Sequence, residues 1–388
     1  MITLLGRIFI KDAGEYQNPQ VRRMYGILCS VFGIFLNVVL FGIKFFAGVI
    51  TGSVAITADA FNNLSDAGSS IITLVGFKFA GMKADKEHPF GHGRFEYVSG
   101  LFVAVSIILM GFELARSSVD KIIHPVSVET EKTAFIILVV SILVKIYMAV
   151  YNYRIGKKIA SSAMKATATD SLSDAVSTTV VLGAMGIMLA TGVNVDGYCG
   201  AMVALFILWA GYQTAKETVS PLLGGKPDPE LIEKIHEIVL EHTVVVGIHD
   251  VIVHDYGPGR LMISLHVEVP GDEEIFQLHD LIEHIEQDLD QALDCESVIH
   301  MDPVEAKNEM VLAMRKDISE MVVEINEELT IHDFRRVTGD SRTNLVFDVV
   351  IPPEFQMSDE EIRQSITDKI LEKYPNHNIV IKLEKAYV

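Results

Sequence analysis

Cysteine is scarce. The three present, Cys29, Cys199 and Cys295, lie too far apart for a disulfide framework or a CxxC metal site. Cys29 and Cys199 fall in apolar runs and read as small core residues. A reducing cytosol is therefore the simplest setting for the water-soluble part of the chain. The sequence also lacks a P-loop, an HExxH helix and a paired nucleophile and base, which leaves no basis for an enzyme or for ATP as energy source. Basic residues are few. With 32 Lys+Arg against 51 Asp+Glu the net charge is −19, so nucleic acid is excluded as a partner because its phosphates would be repelled. Nor is a cleavable signal expected. Residues 1–24 read as polar, and the apolar run from Tyr25 is too long for a signal-peptide core.

What is present divides into two unlike parts. Residues 1–218 carry 18 Lys/Arg against 15 Asp/Glu, a balance of +3, whereas residues 219–388 carry 14 against 36, a balance of −22. A nearly neutral apolar part is joined to a strongly acidic part suited to water, most of whose carboxylates read as solubilising surface. Crossing a hydrocarbon core takes about 20 residues of helix. Six runs qualify: Tyr25–Ile50, Ser53–Ala80, Tyr97–Val119, Thr133–Tyr153, Met164–Ala190 and Val195–Thr218. Their flanks set an orientation. Arg7, Lys11, Arg22 and Arg23, then Lys83, Lys86 and Arg94, then Arg154, Lys157, Lys158 and Lys165 fall on one side, against Lys121 and Lys132 on the other. Basic flanks stay cytoplasmic, which predicts a multi-pass cell-membrane protein with both termini in the cytoplasm.

A polar hinge, Ser220 to Pro227, leads into the acidic part. There the pattern predicts a helix over Pro229–Glu241, strands near Val246–Asp255 and Arg260–Val269, a helix near Glu273–Leu293 and a strand over Ser297–Met301. That αββαβ order makes a small two-layer, ferredoxin-like α+β domain. A second copy follows. Ile331-His332-Asp333 repeats Ile248-His249-Asp250, and helix Glu305–Glu327, strand Asn344–Ile351, helix Asp359–Lys373 and strand Asn378–Leu383 complete the unit. The expected organisation is thus a cytosolic N-terminal segment (1–24), a six-helix transmembrane domain (25–218), a cytosolic α+β domain (219–304) and a degenerate second unit (305–388).

The second and fifth apolar runs carry acids at mid-depth. Asp66 follows Asn62 by four residues, and Asp174 follows Asp170 by four, so each pair shares one helical face. Both stretches contain the frame Leu-Ser-Asp-Ala. An ionised carboxylate in hydrocarbon is costly and is rarely kept without a partner or a cavity. One bound cation would satisfy all four groups. Ion pairing with Lys78 or Lys145 is the plainer alternative, and Lys145 reads as a structural partner or an interfacial snorkeler. Asp59 shares the Asp66 face and suits either an outer vestibule or a helix end facing water.

This tetrad resembles the transport site of the cation diffusion facilitator family, and the resemblance covers about residues 25–302. It implies a homodimer in a lipid bilayer that exchanges a divalent metal for protons, with Asn62, Asp66, Asp170 and Asp174 as ligands. Zinc-selective relatives usually place histidine in the fifth-helix pair, and this chain does not. An all-oxygen set suits harder ions. Efflux of Mn2+ is therefore the expected activity, ahead of a broad Zn2+, Fe2+ or Cd2+ exporter or a non-transporting membrane metal sensor. Metal and protons would compete for the carboxylates.

Two further clusters follow from the same resemblance. Asp85, His88 and His92, in the stretch His88-Pro89-Phe90-Gly91-His92-Gly93, match a loop metal site and serve equally as a structural turn. His249, His266, His279, His300 and Asp302 match a metal cluster of the cytosolic domain. In the second unit Asp348, Ile366, Lys382 and Glu384 stand where His266, His279, His300 and Asp302 would, so that unit is expected to have lost the cluster.

Overall fold

The computed structural model describes residues 2–16, 18–51, 54–124, 132–191, 195–338, 343–352 and 355–385. They form two units: Met1–Gly225 with Asp255–Arg260, and Lys226–His254 with Leu261–Val388.

The first unit is helical. A short helix α1 (Ile2–Phe9) precedes six long ones: α2 (Pro19–Thr51), α3 (Val54–Ala80), α4 (Phe95–Ile123), α5 (Lys132–Lys158), α6 (Ser162–Thr191) and α7 (Asp196–Val219). By length and composition, α2, α4, α5 and α7 are able to cross a membrane. The sequences of α3 and α6 are interrupted by Asp, Ser and Thr, and that of α3 by Asn as well, which lowers their apolar character. The second run, expected from Ser53, begins among the described residues at Val54. Phe35, Phe46, Phe102, Leu109, Met202 and Trp209 stand exposed, an outer surface that suits lipid better than water.

Local chemistry explains several ends and contacts. The α6 start is capped by Ser161, whose Oγ accepts from the Met164 N–H at 3.2 Å. Lys157 and Lys158 close the last turn of α5, where cations suit the helix dipole. Close approach of α4 and α7 relies on glycine: a methyl at Gly111 would sit 2.9 Å from Leu208, and one at Gly211 2.8 Å from Ile108. The N-terminal segment differs from its polar expectation. Ile2 and Ile10 bury themselves in a cluster with Tyr25, Tyr151 and Ile155, because the apolar residues of α1 find a helix surface to cover.

A buried ion pair ties the first unit together. Arg22 on α2 grips Glu96 on α4 through two parallel hydrogen bonds, Nη1 to Oε2 at 2.5 Å and Nη2 to Oε1 at 2.7 Å. Its Nε donates to the Ile159 carbonyl at 2.6 Å, just past the end of α5. Glu96 has no exposed surface, so the fork geometry of the guanidinium satisfies a carboxylate that water cannot reach.

In the second unit, α8 (Pro229–Leu240), β1 (Gly247–Asp255), β2 (Leu261–Pro270), α9 (Ile275–Leu293) and β3 (Cys295–Val304) are followed by α10 (Glu309–Ile325), β4 (Thr330–Thr338), β5 (Thr343–Ile351), α11 (Asp359–Lys373) and β6 (His377–Lys385). The same αββαβ order occurs twice, with sheets ordered β1-β2-β3 and β4-β5-β6. β2 and β3 run parallel, as do β5 and β6, while β4 and β5 are antiparallel. Helices start where the sequence offers caps: Asp228 before Pro229, Asn308, and a Ser358/Glu361 capping box. Ile263, Leu265 and Val267 alternate into the core with Ile282, Ile285 and Leu289 of α9. The period of two therefore turns Ser264 and His266 to the other face of the sheet.

Candidate metal centres

In the first unit, Asp66 of α3 and Asp170 and Asp174 of α6 converge, each offering an oxygen within 4.8 Å of the others. A hydrogen bond between Thr73 Oγ1 and Thr167 Oγ1, 2.9 Å long, joins the same two helices. Thr73 lies seven residues after Asp66, and Thr167 seven residues before Asp174. Seven residues are two turns on one face, so this contact holds two antiparallel helices in the register that brings the aspartates to one level. Lys145 of α5 completes the arrangement. Its ammonium donates to Asp66 Oδ2 and to Asp174 Oδ2, both at 2.6 Å, from a position only 3% exposed. The ion-pair alternative is thus realised by Lys145, which does not snorkel, while Lys78 is exposed. A lone cation inside an apolar helix was the signal for its role, since such a charge needs acids nearby. Asn62 lies one turn from Asp66 with its side chain exposed, and the side chain of Asp59 lies outside the described residues.

The loop between α3 and α4 gathers Asp85, His88 and His92. Asp85 lies 3.6 Å from His88 Nδ1 and 3.5 Å from His92 Nε2, and the two rings are 4.6 Å apart. The same carboxylate accepts from the backbone N–H of His88 at 2.7 Å and of Glu87 at 2.9 Å. Those donors, His88 first, hold its pKa below the ordinary carboxylate value. Both expected uses of this stretch, turn and ligand cluster, are built from one side chain.

In the second unit, Asp302 on β3 is the hub. Its Oδ2 lies 2.9 Å from His266 Nδ1 and 3.3 Å from His249 Nε2, and its Oδ1 lies 3.2 Å from His300 Nδ1. Strand register explains the convergence: His266 pairs with His300 across β2 and β3, and Asp302 follows two residues later on the same face. Neither nitrogen of the half-buried His249 has a hydrogen-bond partner, so a metal fits the site's chemistry. His279 stands apart. It is exposed on α9, 3.5 Å from Glu283, and joins none of the clusters found among the described residues.

The C-terminal strands add a cluster that the sequence argued against. His332 of β4, Asp348 of β5 and Glu384 of β6 each offer a donor within 4.8 Å of the others. His332 also stacks on His249, ring centroids 4.2 Å apart and planes at 28°. Burial disfavours charge on both rings. For His249 the carboxylates of Asp250, Asp302 and Glu268 outweigh it and raise the pKa, whereas burial and the neighbouring His249 lower that of His332. Across the same interface, Glu268 is buried and meets Arg315 of α10 at 3.1 Å and the Asp333 N–H at 3.0 Å.

Comparison with known proteins adds to this geometry. A family model described as the cation efflux transmembrane domain matches residues 30–223, and one described as the cytoplasmic domain of cation efflux proteins matches residues 227–304. Residues 305–388 lie beyond both. An uncharacterized transporter of Methanocaldococcus jannaschii is 31% identical over 282 residues, covering 72% of this chain and 98% of that protein. Metal tolerance protein 2 of Oryza sativa subsp. japonica is 29% identical over 308 residues, 72% of this chain and 79% of that protein. The cation-efflux pump FieF of Salmonella typhi is 28% identical over 263 residues, 67% of this chain and 87% of that protein. With two domain models matched in tandem and an acidic, cation-sized cluster between two of its long helices, the chain belongs to the cation diffusion facilitator family of membrane cation-efflux transporters.

Proposed function

We propose that this transporter exports a divalent metal, Mn2+ first among them, in exchange for protons, through Asn62, Asp66, Asp170 and Asp174. The observation that carries it is the convergence of three carboxylates from α3 and α6, two of which hold a single ammonium group. All-oxygen ligation favours a hard divalent ion over one that prefers imidazole or thiolate. Magnesium holds its water shell more firmly than manganese and fits less well. A carboxylate that holds a proton does not hold metal, so the two cations alternate at one site. Lys145 acts as a third competitor, a tethered ammonium that neutralises Asp66 and Asp174 when metal is absent.

In this reading α3 (27 residues) and α6 (30 residues) complete six spans. Both exceed the roughly 20 residues that a bilayer core requires, and their polar residues line the ion path. The termini are cytoplasmic, the membrane is the cell membrane and the working form is a homodimer. Residues 219–304 and 305–388 are tandem copies, supported by Asp250 and Asp333, which follow matched histidines with the same φ of +50°. The cytosolic clusters bind metal as sensors of its concentration.

Proteoliposomes with an outward-directed proton load test the reading. Wild-type vesicles should accumulate Mn2+ while the proton gradient lasts, and Asp66→Asn or Asp170→Asn vesicles should not. Uptake by either variant at the wild-type rate would refute it. Competition with Zn2+, Fe2+ and Cd2+ in the same vesicles ranks the metals.

A further inference from the structure

The ligand-type residues of the C-terminal strands occupy, strand for strand, the positions of the first cluster. His332 is near the start of β4 as His249 is near the start of β1, each followed by an aspartate at φ +50°. His266 pairs with His300 across β2 and β3, and Asp348 pairs with Lys382 across β5 and β6. Two residues further on, Glu384 stands where Asp302 stands. The same nitrogen faces the corresponding carboxylate in both units: His249 Nε2 lies 3.3 Å from Asp302, and His332 Nε2 lies 3.6 Å from Glu384.

More than proximity marks this cluster. His332 is 8% exposed, and neither of its ring nitrogens has a hydrogen-bond partner. Glu384 Oε2 also lacks one. Native folds rarely leave buried polar atoms unmatched, and two from facing side chains point to a missing group between them. Lys382 reaches Asp348 at 3.6 Å and contacts Glu384, from a side chain that is 67% exposed. Its charge answers the carboxylates from the solvent side and leaves His332 unpartnered.

We propose that the C-terminal unit holds a second divalent-cation site formed by His332, Asp348 and Glu384. Its chemistry differs from that of its neighbour. The first cluster offers three imidazoles and one carboxylate, a zinc-type set. The second offers one imidazole and two carboxylates, which suits a harder ion of the manganese or iron(II) class. The two share a wall, since His249 stacks on His332 and Asp250 groups with both rings. Asp250 supplies negative charge between two cations that would otherwise repel. Lys382 must swing away for metal to enter, so the site fills at a higher free metal concentration than it would without that lysine. The inference rests on the geometry of the second unit and is independent of transport through α3 and α6.

The test uses the full-length protein in detergent, stripped of metal, with Mn2+ as the probe. Bound Mn2+ per chain is counted by electron paramagnetic resonance after equilibrium dialysis over a range of free Mn2+. Glu384→Gln and Asp348→Asn should each bind one Mn2+ fewer than wild type, in a His266→Ala background as well. Lys382→Met should keep the count and tighten the weakest site by about two- to fivefold, the size of a partly exposed ion pair. An unchanged count in both carboxylate variants overturns the proposal. So does an unchanged affinity in Lys382→Met, which removes no ligand and decides the matter if the carboxylate variants fail to fold. Asp66→Asn protein should still show the Glu384-dependent ion, so failure of the transport reading and failure of this site are separate results.

Discussion

Lys145 Nζ stands 2.6 Å from Asp66 Oδ2, an α5 ammonium delivered onto an α3 carboxylate in the interior of the first unit. The same nitrogen is 2.6 Å from Asp174. A single positive charge thus sits between two of the carboxylates that the proposed cargo would bind.

Removing that competitor should alter transport in a defined way. Lys145→Met leaves the carboxylates to metal and protons alone. Half-maximal Mn2+ uptake should then occur at about tenfold lower concentration, with a reduced maximal rate, because loss of a buried partner shifts the balance strongly toward the remaining cation. Initial rates in reconstituted vesicles measure both. An unchanged half-saturation point would remove Lys145 from the transport cycle.

The Arg22–Glu96 pair makes a stability prediction. Arg22→Met strands a fully buried carboxylate and should destabilise the first unit by about 3 kcal/mol. Replacing both partners, Arg22→Met with Glu96→Met, should recover part of that loss, because an apolar pair leaves no charge unmatched. Thermal unfolding in detergent, followed by gel filtration, compares the three proteins. Equal damage in the single and double variants would contradict the pairing.

His266 and His279 should separate in metal binding although both were expected as ligands. His266 lies 2.9 Å from the hub Asp302, whereas His279 is exposed beside Glu283. His266→Ala should weaken Zn2+ binding to the second unit by about tenfold or more, the order of effect seen when ligand shells are damaged. His279→Ala should leave it unchanged. Titration with a colorimetric zinc competitor reads both. Equal weakening would mean that His279 reaches the metal from another chain.

Cys295 carries a pH prediction. Burial first, and the nearby Asp290 carboxylate second, push its thiol up to about 12. The neutral thiol is favoured, so the reactive thiolate is scarce at pH 8 and increases as pH rises toward that value. Alkylation of the Cys295 peptide by iodoacetamide, followed by mass spectrometry, should be slow at pH 8 and accelerate about tenfold per pH unit up to pH 10. A rate at pH 8 matching that of a free cysteine would contradict the burial argument.

Much of this protein is legible in its sequence. Long apolar runs mark all six long helices, and alternating and helical patterns mark both αββαβ units, with ends displaced by up to about six residues, since run length and caps such as Ser358 act locally. The i, i+4 pairs marked α3 and α6, because a carboxylate in an apolar run is out of place wherever the chain goes next. By contrast, α1 is not legible: its eight residues are amphipathic but too few to distinguish a helix from a short apolar stretch.

Only the tertiary structure could decide which charged groups meet. Lys145 is separated from Asp66 by 79 residues and Arg22 from Glu96 by 74, and nothing local specifies such partners. The sequence read Lys382 and Asp348 as signs of a lost cluster. The β5–β6 register instead gathers Asp348 and Glu384 onto His332, which shows that a ligand set is a property of strand pairing as much as of residue type. Composition and spacing determined where polar groups sit along each element. Packing determined which of them share a site, because that depends on helix register and sheet pairing between segments far apart in the chain.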